Sequence, residues 1–506
     1  MVTQVSFDLV ATFQRHARFL SKKRAIVEDR SCTYSELWDI AGEIAEELLR
    51  AGLRAGDRIA VACAPGVDYV LLIVGMLRAE LVVCPINTRL TPSEIDAYFT
   101  SLNPRAVISD EESLDIAERI GTPLLVLSET GGRWQARTSG PRVPLPSAAA
   151  DLNGAFIVGT GGSTGIPKGA VISRNAAWMW ATCAAFAQQL RQSDVEMFGS
   201  PFFHSTLLTG VLSPLVAGAT VRVISGFNTD SVVTAVERDG GTRLAGAPTM
   251  LQRVLDHATA NADLWRNVRV VQFGSTKAPP GFVDRVRQAL PGADLITGYG
   301  TTEFGPVTRV YTADFLSNRD VGVGRPVPAA DVVIVDPVTM RILTAPEAEG
   351  EIAVACPWQM TGYAGAKSET KDALLASGHI RSGDIGQFDP EGFLHFRGRY
   401  KEIVITGGEN VFPIEVERVI ADHPSIVDVA VYGVDDDTWG ERVEAAVVVR
   451  PQTSVTIDEV RDFCRSRLAG FKIPRSLVIY DDLPLTPNSK VDKRRLSEAS
   501  RGRRDP

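Results

Sequence analysis

The stretch Thr160-Gly161-Gly162-Ser163-Thr164-Gly165-Ile166-Pro167-Lys168-Gly169 gathers the residue types that can hold a chain of phosphates. Glycines let backbone amides approach phosphate oxygens, hydroxyls add donors, and Lys168 supplies positive charge. The order Pro167-Lys168-Gly169 excludes the P-loop of nucleotide triphosphatases, where Gly-Lys is followed by serine or threonine. A loop of this composition is also an ordinary flexible connection, so taken alone it leaves both readings open.

The elements that must position this loop follow from apolar periodicity. A strand candidate, Ala155 to Val158, precedes the loop, and a later helix starts near Asn175. From Tyr34 to about Val158, helical patterns such as Ser35 to Ala51 alternate with short apolar runs such as Arg58 to Cys63 and Leu81 to Cys84. That alternation predicts an α/β layer, and it resumes with strand candidates at Thr220 to Ile224, Arg269 to Phe273 and Asp294 to Thr297. After Gly322 the apolar segments shorten between Gly, Pro and Asp, as at Val332 to Val335, Gly350 to Ala355 and Gly392 to Arg397, which predicts antiparallel strands. Past Arg399 the pattern is a compact α+β unit: a helix at Pro413 to Asp422, strands at Val427 to Gly433 and Ala445 to Arg450, then a helix near Ile457 to Leu468. Glu498 to Pro506 reads as a charged, frayed tail. The expected organisation is a large N-terminal α/β domain with a small β subdomain over residues 1–398, a junction at 399–401, and a small α+β domain over 402–506.

Composition bounds the class. At 506 residues the chain exceeds the roughly 250 to 300 residues that one core serves, so two or more domains are expected. Hydrophobic residues at 44% and charged residues at 23% are those of a soluble globular protein. The longest apolar run, Tyr69 to Leu77, falls short of the about 20 residues of a membrane span. The opening residues carry Gln4 and Asp8 rather than a basic patch and an apolar stretch, so a cytoplasmic protein without a secretory signal is expected. Arg15, Arg18, Lys22, Lys23 and Arg24 read as a solvated helix face. Six cysteines (Cys32, Cys63, Cys84, Cys183, Cys356, Cys464) lack the paired spacing of zinc or redox motifs and are expected to be reduced, buried thiols. A net charge of -8 opposes general nucleic-acid binding, so phosphate must be held by a local, built site.

From the glycine-rich loop onward the chain resembles the acyl-adenylate-forming superfamily of AMP-dependent synthetases and ligases, closest in pattern to acyl-CoA and aryl-CoA synthetases. The resemblance continues in order through Pro201-Phe202-Phe203-His204, Gly298-Tyr299-Gly300-Thr301-Thr302-Glu303, Ser382-Gly383-Asp384, Gly398-Arg399-Tyr400-Lys401-Glu402 and Pro487-Asn488-Ser489-Lys490. Any one motif is weak; the ordered set spans most of the chain and leaves little room for coincidence.

The resemblance implies a nucleotide site built from Thr160, Gly162, Ser163, Thr164 and Gly165 of the loop, Ser275, Thr276 and Lys277, Tyr299 as an aromatic face for adenine, and Asp384 and Arg399 for ribose or phosphate. Lys168, Thr302 and Glu303 would serve the phosphates, with Thr302 and Glu303 as hard oxygen ligands for Mg2+. Lys490 would bridge the attacking carboxylate and the α-phosphate, where two anions need a mobile cation between them. The acyl pocket would be bordered by Cys183, Phe203, His204, Gly298, Gly300 and Gly305. Trp439 would stack on the adenine of coenzyme A, Gly407 and Gly408 would leave room for its pantetheine arm, and Lys401 would be the hinge of a mobile C-terminal lid. Each has an ordinary alternative: a turn with a solvated glutamate at 303, a turn aspartate at 384, a surface arginine at 399, a core histidine at 204, core packing for Trp439, a flexible surface lysine at 490. His204 is not read as a general base, because a carboxylate with a pKa near ~4 is already ionised.

Three departures from the family pattern stand out: Gly161 where serine is usual, Ser275-Thr276-Lys277 in place of a smaller adenine loop, and Asn488-Ser489 before the lysine. The resulting expectation is activation of a simple carboxylic acid by ATP and Mg2+, then acyl transfer to coenzyme A. Phe202-Phe203-His204-Ser205-Thr206 lacks the aspartate with which amino-acid-activating relatives hold an ammonium group. Rivals are transfer to an amine or a carrier-protein thiol, and a nonenzymatic nucleotide or acyl-adenylate sensor. No nucleic-acid partner and no membrane span are expected; the oligomeric state is open, a homodimer being one option.

Overall fold

The structure is a computed structural model that describes residues 8–110, 113, 124–130, 133–139, 153–160, 167–274, 278–279, 281–317, 320–486 and 490–501. The chain divides into two compact units, one of Met1–Val332 with Val354–Ile380, the other of Val333–Ala353 with Arg381–Pro506.

The first unit is built on two sheets. Strands Val195–Phe198, Thr220–Val223, Arg243–Gly246, Val270–Phe273 and Asp294–Thr297 run parallel through one of them, and the antiparallel strand Thr308–Tyr311 follows Asp294–Thr297 in it. The other contains Arg58–Ala62, Val82–Pro85 and Ala106–Ser109 in parallel, with Gly154–Thr160 beside Val82–Pro85. Their near-continuous apolar character follows from burial on both faces, as parallel sheets require. The same logic explains Val67–Arg78, a helix apolar on nearly every side because it is buried; this is the longest apolar run of the sequence. No helix among the described residues is long and apolar enough to cross a membrane. The helix Tyr34–Arg50 starts at Thr33, whose side chain accepts from Glu36 N while Glu36 reaches back to Thr33, a capping box worth about 1 kcal/mol.

The second unit carries the strands Ile380–Phe388 and Leu394–Arg399, paired antiparallel in a four-stranded sheet, and a separate sheet centred on Gly440–Val449. Helices Pro413–Ile420 and Ile457–Arg465 contribute Val416, Ile420, Val460 and Cys464 to a core against Gly440–Val449.

Element positions follow the apolar pattern to within a few residues, with three differences. The glycine-rich loop does not lead directly to a helix: Lys168–Ser173 forms a strand antiparallel to Gly154–Thr160, and the helix Arg174–Ala187 starts only after Ser173 caps it. Of the expected tail Glu498 to Pro506, residues 498–501 instead end the helix Lys493–Arg501, in which Leu496 and Ser500 are buried; 502–506 lie outside the described residues. All six cysteines are free thiols, but Cys63, Cys183 and Cys356 are only partly buried.

Candidate active site

Register sets the loop. Thr160 pairs with Lys168 at the end of the Gly154–Thr160 and Lys168–Ser173 hairpin, so the glycine-rich residues are its connection. Thr160 is buried and Lys168 half-buried; Gly162, Ser163, Thr164, Gly165 and the departure at Gly161 lie outside the described residues, as do Ser275, Thr276, Lys277, Asn488 and Ser489.

A short strand, Gly362–Tyr363, pairs with the Lys168 strand, Tyr363 standing opposite Ala170. The Lys168 ammonium lies 5.3 Å from the centre of the Tyr363 ring. From the same ring, the hydroxyl donates to Glu303 Oε1 at 2.9 Å, and Met360 N donates to the Glu303 carbonyl at 2.7 Å. One tyrosine thus joins a candidate phosphate lysine to a candidate metal carboxylate. Burial, then the neighbouring Glu303 charge, push its phenol far above the ordinary value, so it remains a donor. The tyrosine was not among the expected site residues, because its role rests on pairing between segments nearly two hundred positions apart.

Thr302 and Glu303 form the tip of a minimal hairpin in which Gly300 pairs with Pro306 and Thr301 with Gly305. Phe304, fully buried, anchors the tip. A Cβ at Gly300 would stand 2.2 Å from the Gly305 carbonyl, so only glycine permits this closure. Tyr299 is half-buried, its backbone N–H donating to Thr308 Oγ1 at 3.0 Å. Gly305 abuts Trp180, whose helix also carries Cys183 one turn on. At the fourth motif, Phe202 is buried against Tyr69 and Phe198, while Phe203 and His204 are half-buried with ring centres 4.5 Å apart.

In the second unit, Asp384 and Arg399 face each other across paired strands, Arg399 Nε 3.2 Å from Asp384 Oδ1 in an ion contact rather than an aligned hydrogen bond. Asp384 is 3% exposed while the Arg399 side chain is 48% exposed, so the carboxylate is fixed and the guanidinium has room to rearrange. Lys401 is exposed in the short turn Tyr400–Glu402. Gly407 and Gly408, both at positive φ, close the two-residue hairpin between Val404–Thr406 and Glu409–Val411. Trp439 lies against Gly407, is 40% exposed, and carries the Arg475 guanidinium 4.1 Å from its ring centre, so it is not core packing. Lys490 is exposed at the end of a loop closed by Thr486 N donating to the Lys490 carbonyl at 2.7 Å. Three residues further on, Lys493 bridges Glu402 at 3.2 Å and Glu417 at 2.7 Å.

The AMP-binding enzyme family profile matches residues 13–364, and the profile of the AMP-binding enzyme C-terminal domain matches residues 415–490. This chain belongs to the AMP-binding enzyme family. A feruloyl-CoA synthase of Amycolatopsis is 31% identical over 464 residues, covering 91% of this chain and 92% of its own. The crystal structure of ATP-bound MatB from Rhodopseudomonas palustris covers 97% of this chain and 99% of its own, at 28% identity and a TM-score of 0.84. Amide bond synthetase McbA from Marinactinospora thermotolerans is similar over 97% of this chain and 99% of its own, at 25% identity and a TM-score of 0.85. As an AMP-binding enzyme, the protein is an ATP-dependent, AMP-forming ligase of the acyl-adenylate-forming superfamily.

Magnesium accompanies ATP in this family. Mg2+ is usually held by one or two carboxylates together with substrate phosphates and water rather than by an all-protein cage. Glu303 fits that demand: its carboxylate accepts from one phenol and has no ion-pair partner among the described residues. When bound, the ion would neutralise charge on the departing pyrophosphate.

Proposed function

We propose that this AMP-binding enzyme converts a simple carboxylic acid to its acyl-adenylate and then transfers the acyl group to coenzyme A. The observation that carries this reading is the meeting of Lys168 and Glu303 at Tyr363, which puts a cation and a metal-ready carboxylate on one aromatic residue beside the glycine-rich hairpin. In the first step a carboxylate oxygen attacks the α-phosphorus of ATP in line, the bond to the β-phosphate oxygen breaks, and pyrophosphate leaves. Lys490 holds the two anions together, Asp384 holds the ribose, and Thr302 orients phosphate. In the second step a thiol sulfur attacks the acyl carbon, the acyl–oxygen bond to AMP breaks, and the thiol proton is released. Trp439, open and capped by Arg475, supports the choice of a nucleotide-bearing thiol, since an exposed indole offers a stacking face for a base.

The acid is aliphatic or aromatic and not a free α-amino acid, because Phe203 and His204 offer no carboxylate for an ammonium group. Amide formation is the second reading, favoured by the close fold similarity to an amide bond synthetase. Nothing favours the sensor reading. A panel of carboxylic acids with pyrophosphate release as the readout, run without acceptor, names the acid; AMP release with coenzyme A, amines and carrier protein in separate reactions names the acceptor. Coenzyme A should accelerate AMP release beyond the other two. Faster pyrophosphate release with an amino acid than with every simple acid would refute the substrate assignment.

A further inference from the structure

The guanidinium of Arg309 is a buried cation that no carboxylate among the described residues neutralises. The residue is 6% exposed, its Nη1 donates only to the Thr308 carbonyl at 3.0 Å, and its buried Nε has no hydrogen-bond partner. Asp314, the nearest acid along the chain, is engaged by Arg325 at 3.2 Å and by Tyr311 N. Burial pulls Arg309 down to about 10, which still leaves it charged at neutral pH. An isolated charge taken out of water is among the most costly features a fold can carry, and such charges are ordinarily paired or ligand-bound.

Sheet register places this cation. Thr297 pairs with Val310 and Ile296 with Tyr311, so Arg309 comes opposite Gly298, and a Cβ built there would lie 2.9 Å from Arg309 Nη1. Arg309 and Tyr311, two positions apart, project from the same face of their strand. Tyr311 OH donates to the Ala187 carbonyl at the end of the helix Arg174–Ala187, so that face looks toward the helix carrying Trp180 and Cys183. The guanidinium therefore adjoins Gly298, one of the residues expected to border the acyl group.

We propose that Arg309 is a substrate-specificity residue that receives a second carboxylate, at the end of the acid remote from the one activated, so that the preferred substrate is a dicarboxylic acid. This rests on the acyl-adenylate reading above and sharpens it. A planar guanidinium with unengaged N–H donors matches a carboxylate in bidentate fashion, and a substrate lacking that group leaves the buried cation unpaired. Discrimination of that origin is far larger than an apolar pocket achieves by size alone.

The experiment measures acid-dependent pyrophosphate release by the full-length enzyme with ATP and Mg2+. It compares a graded series of straight-chain dicarboxylic acids, each beside its monomethyl ester, with wild type, Arg309→Met and Arg309→Lys. Wild type should favour at least one diacid over its ester by about tenfold or more in kcat/KM. Arg309→Met should erase that ratio, and Arg309→Lys should restore part of it. The ratio is the decisive readout, because a merely structural role would lower turnover of both acids alike. A wild-type enzyme that uses every ester as well as its diacid overturns the inference even if the variants do not fold. Equal loss of both activities in Arg309→Met does so as well. Should no acid of any kind release pyrophosphate, the adenylation reading falls with it, an outcome distinct from activity without preference.

Discussion

Tyr363 is the residue that gives the candidate phosphate site its geometry. Its ring meets Lys168 and its hydroxyl fixes Glu303, so the phenol oxygen and the aromatic face act on different partners. Tyr363→Phe keeps the ring and removes the donor; because hydrogen bonds to charged groups are worth about 1.5 to 3 kcal/mol, the Mg2+ concentration giving half-maximal pyrophosphate release should rise roughly tenfold or more. On a Glu303→Gln background the same change should add little. Additive losses in the double variant would mean that Tyr363 acts independently of Glu303. The motif residues stand out as candidates because chemical type and short spacing mark them: glycine, hydroxyl and lysine for phosphate, threonine before glutamate for a metal. Tyr363 and Arg309 do not, since each becomes meaningful only through the register of strands far apart in sequence.

Among elements, the C-terminal helix Lys493–Arg501 is more than a tail. Lys493, 21% exposed, ties it both to the turn Tyr400–Glu402 and to the helix Pro413–Ile420 through Glu402 and Glu417. Burial pulls its ammonium downward, but the two carboxylates outweigh that and hold it above the usual lysine value. Lys493→Met should lower stability to denaturant by about 1 to 3 kcal/mol, whereas Arg494→Met, which removes an exposed side chain, should cost under about 0.5 kcal/mol. Equal effects would show that the bridges contribute nothing. Sequence pattern takes Glu498 to Pro506 as frayed because charge dominates its composition, yet 498–501 belong to this helix, whose buried residues are Leu496 and Ser500. It likewise missed the strand Lys168–Ser173, whose start lies inside a motif rich in turn-forming residues. A strand buried on both faces, such as Val82–Pro85, was legible because burial leaves an uninterrupted apolar record.

For the whole molecule, the proposed chemistry asks two things of the C-terminal part of the chain: Lys490 for adenylation, and the Gly407-Gly408 hairpin with Trp439 for thiol attack. We propose that these are presented alternately by rotation at Lys401, which sits exposed in the short turn Tyr400–Glu402. Lys490→Ala should then abolish acyl-adenylate formation while sparing consumption of a supplied adenylate, and Lys401→Pro should do the reverse, as read by single-turnover kinetics of each half-reaction. Equal slowing of both halves by Lys490→Ala would remove the need for alternation. Length predicts two or more domains and the α+β pattern past Arg399 predicts a junction at 399–401, whereas the grouping of Val333–Ala353 with Arg381–Pro506 depends on contacts that no local pattern records. The central claim is that a carboxylate oxygen becomes bonded to the α-phosphorus, and isotope transfer tests it most directly. A carboxylic acid labelled with oxygen-18 in its carboxylate, turned over with ATP, Mg2+ and coenzyme A, should deliver one labelled oxygen to each AMP released. Label in inorganic phosphate, or none in AMP, would contradict an acyl-adenylate and with it the mechanism assigned to this protein.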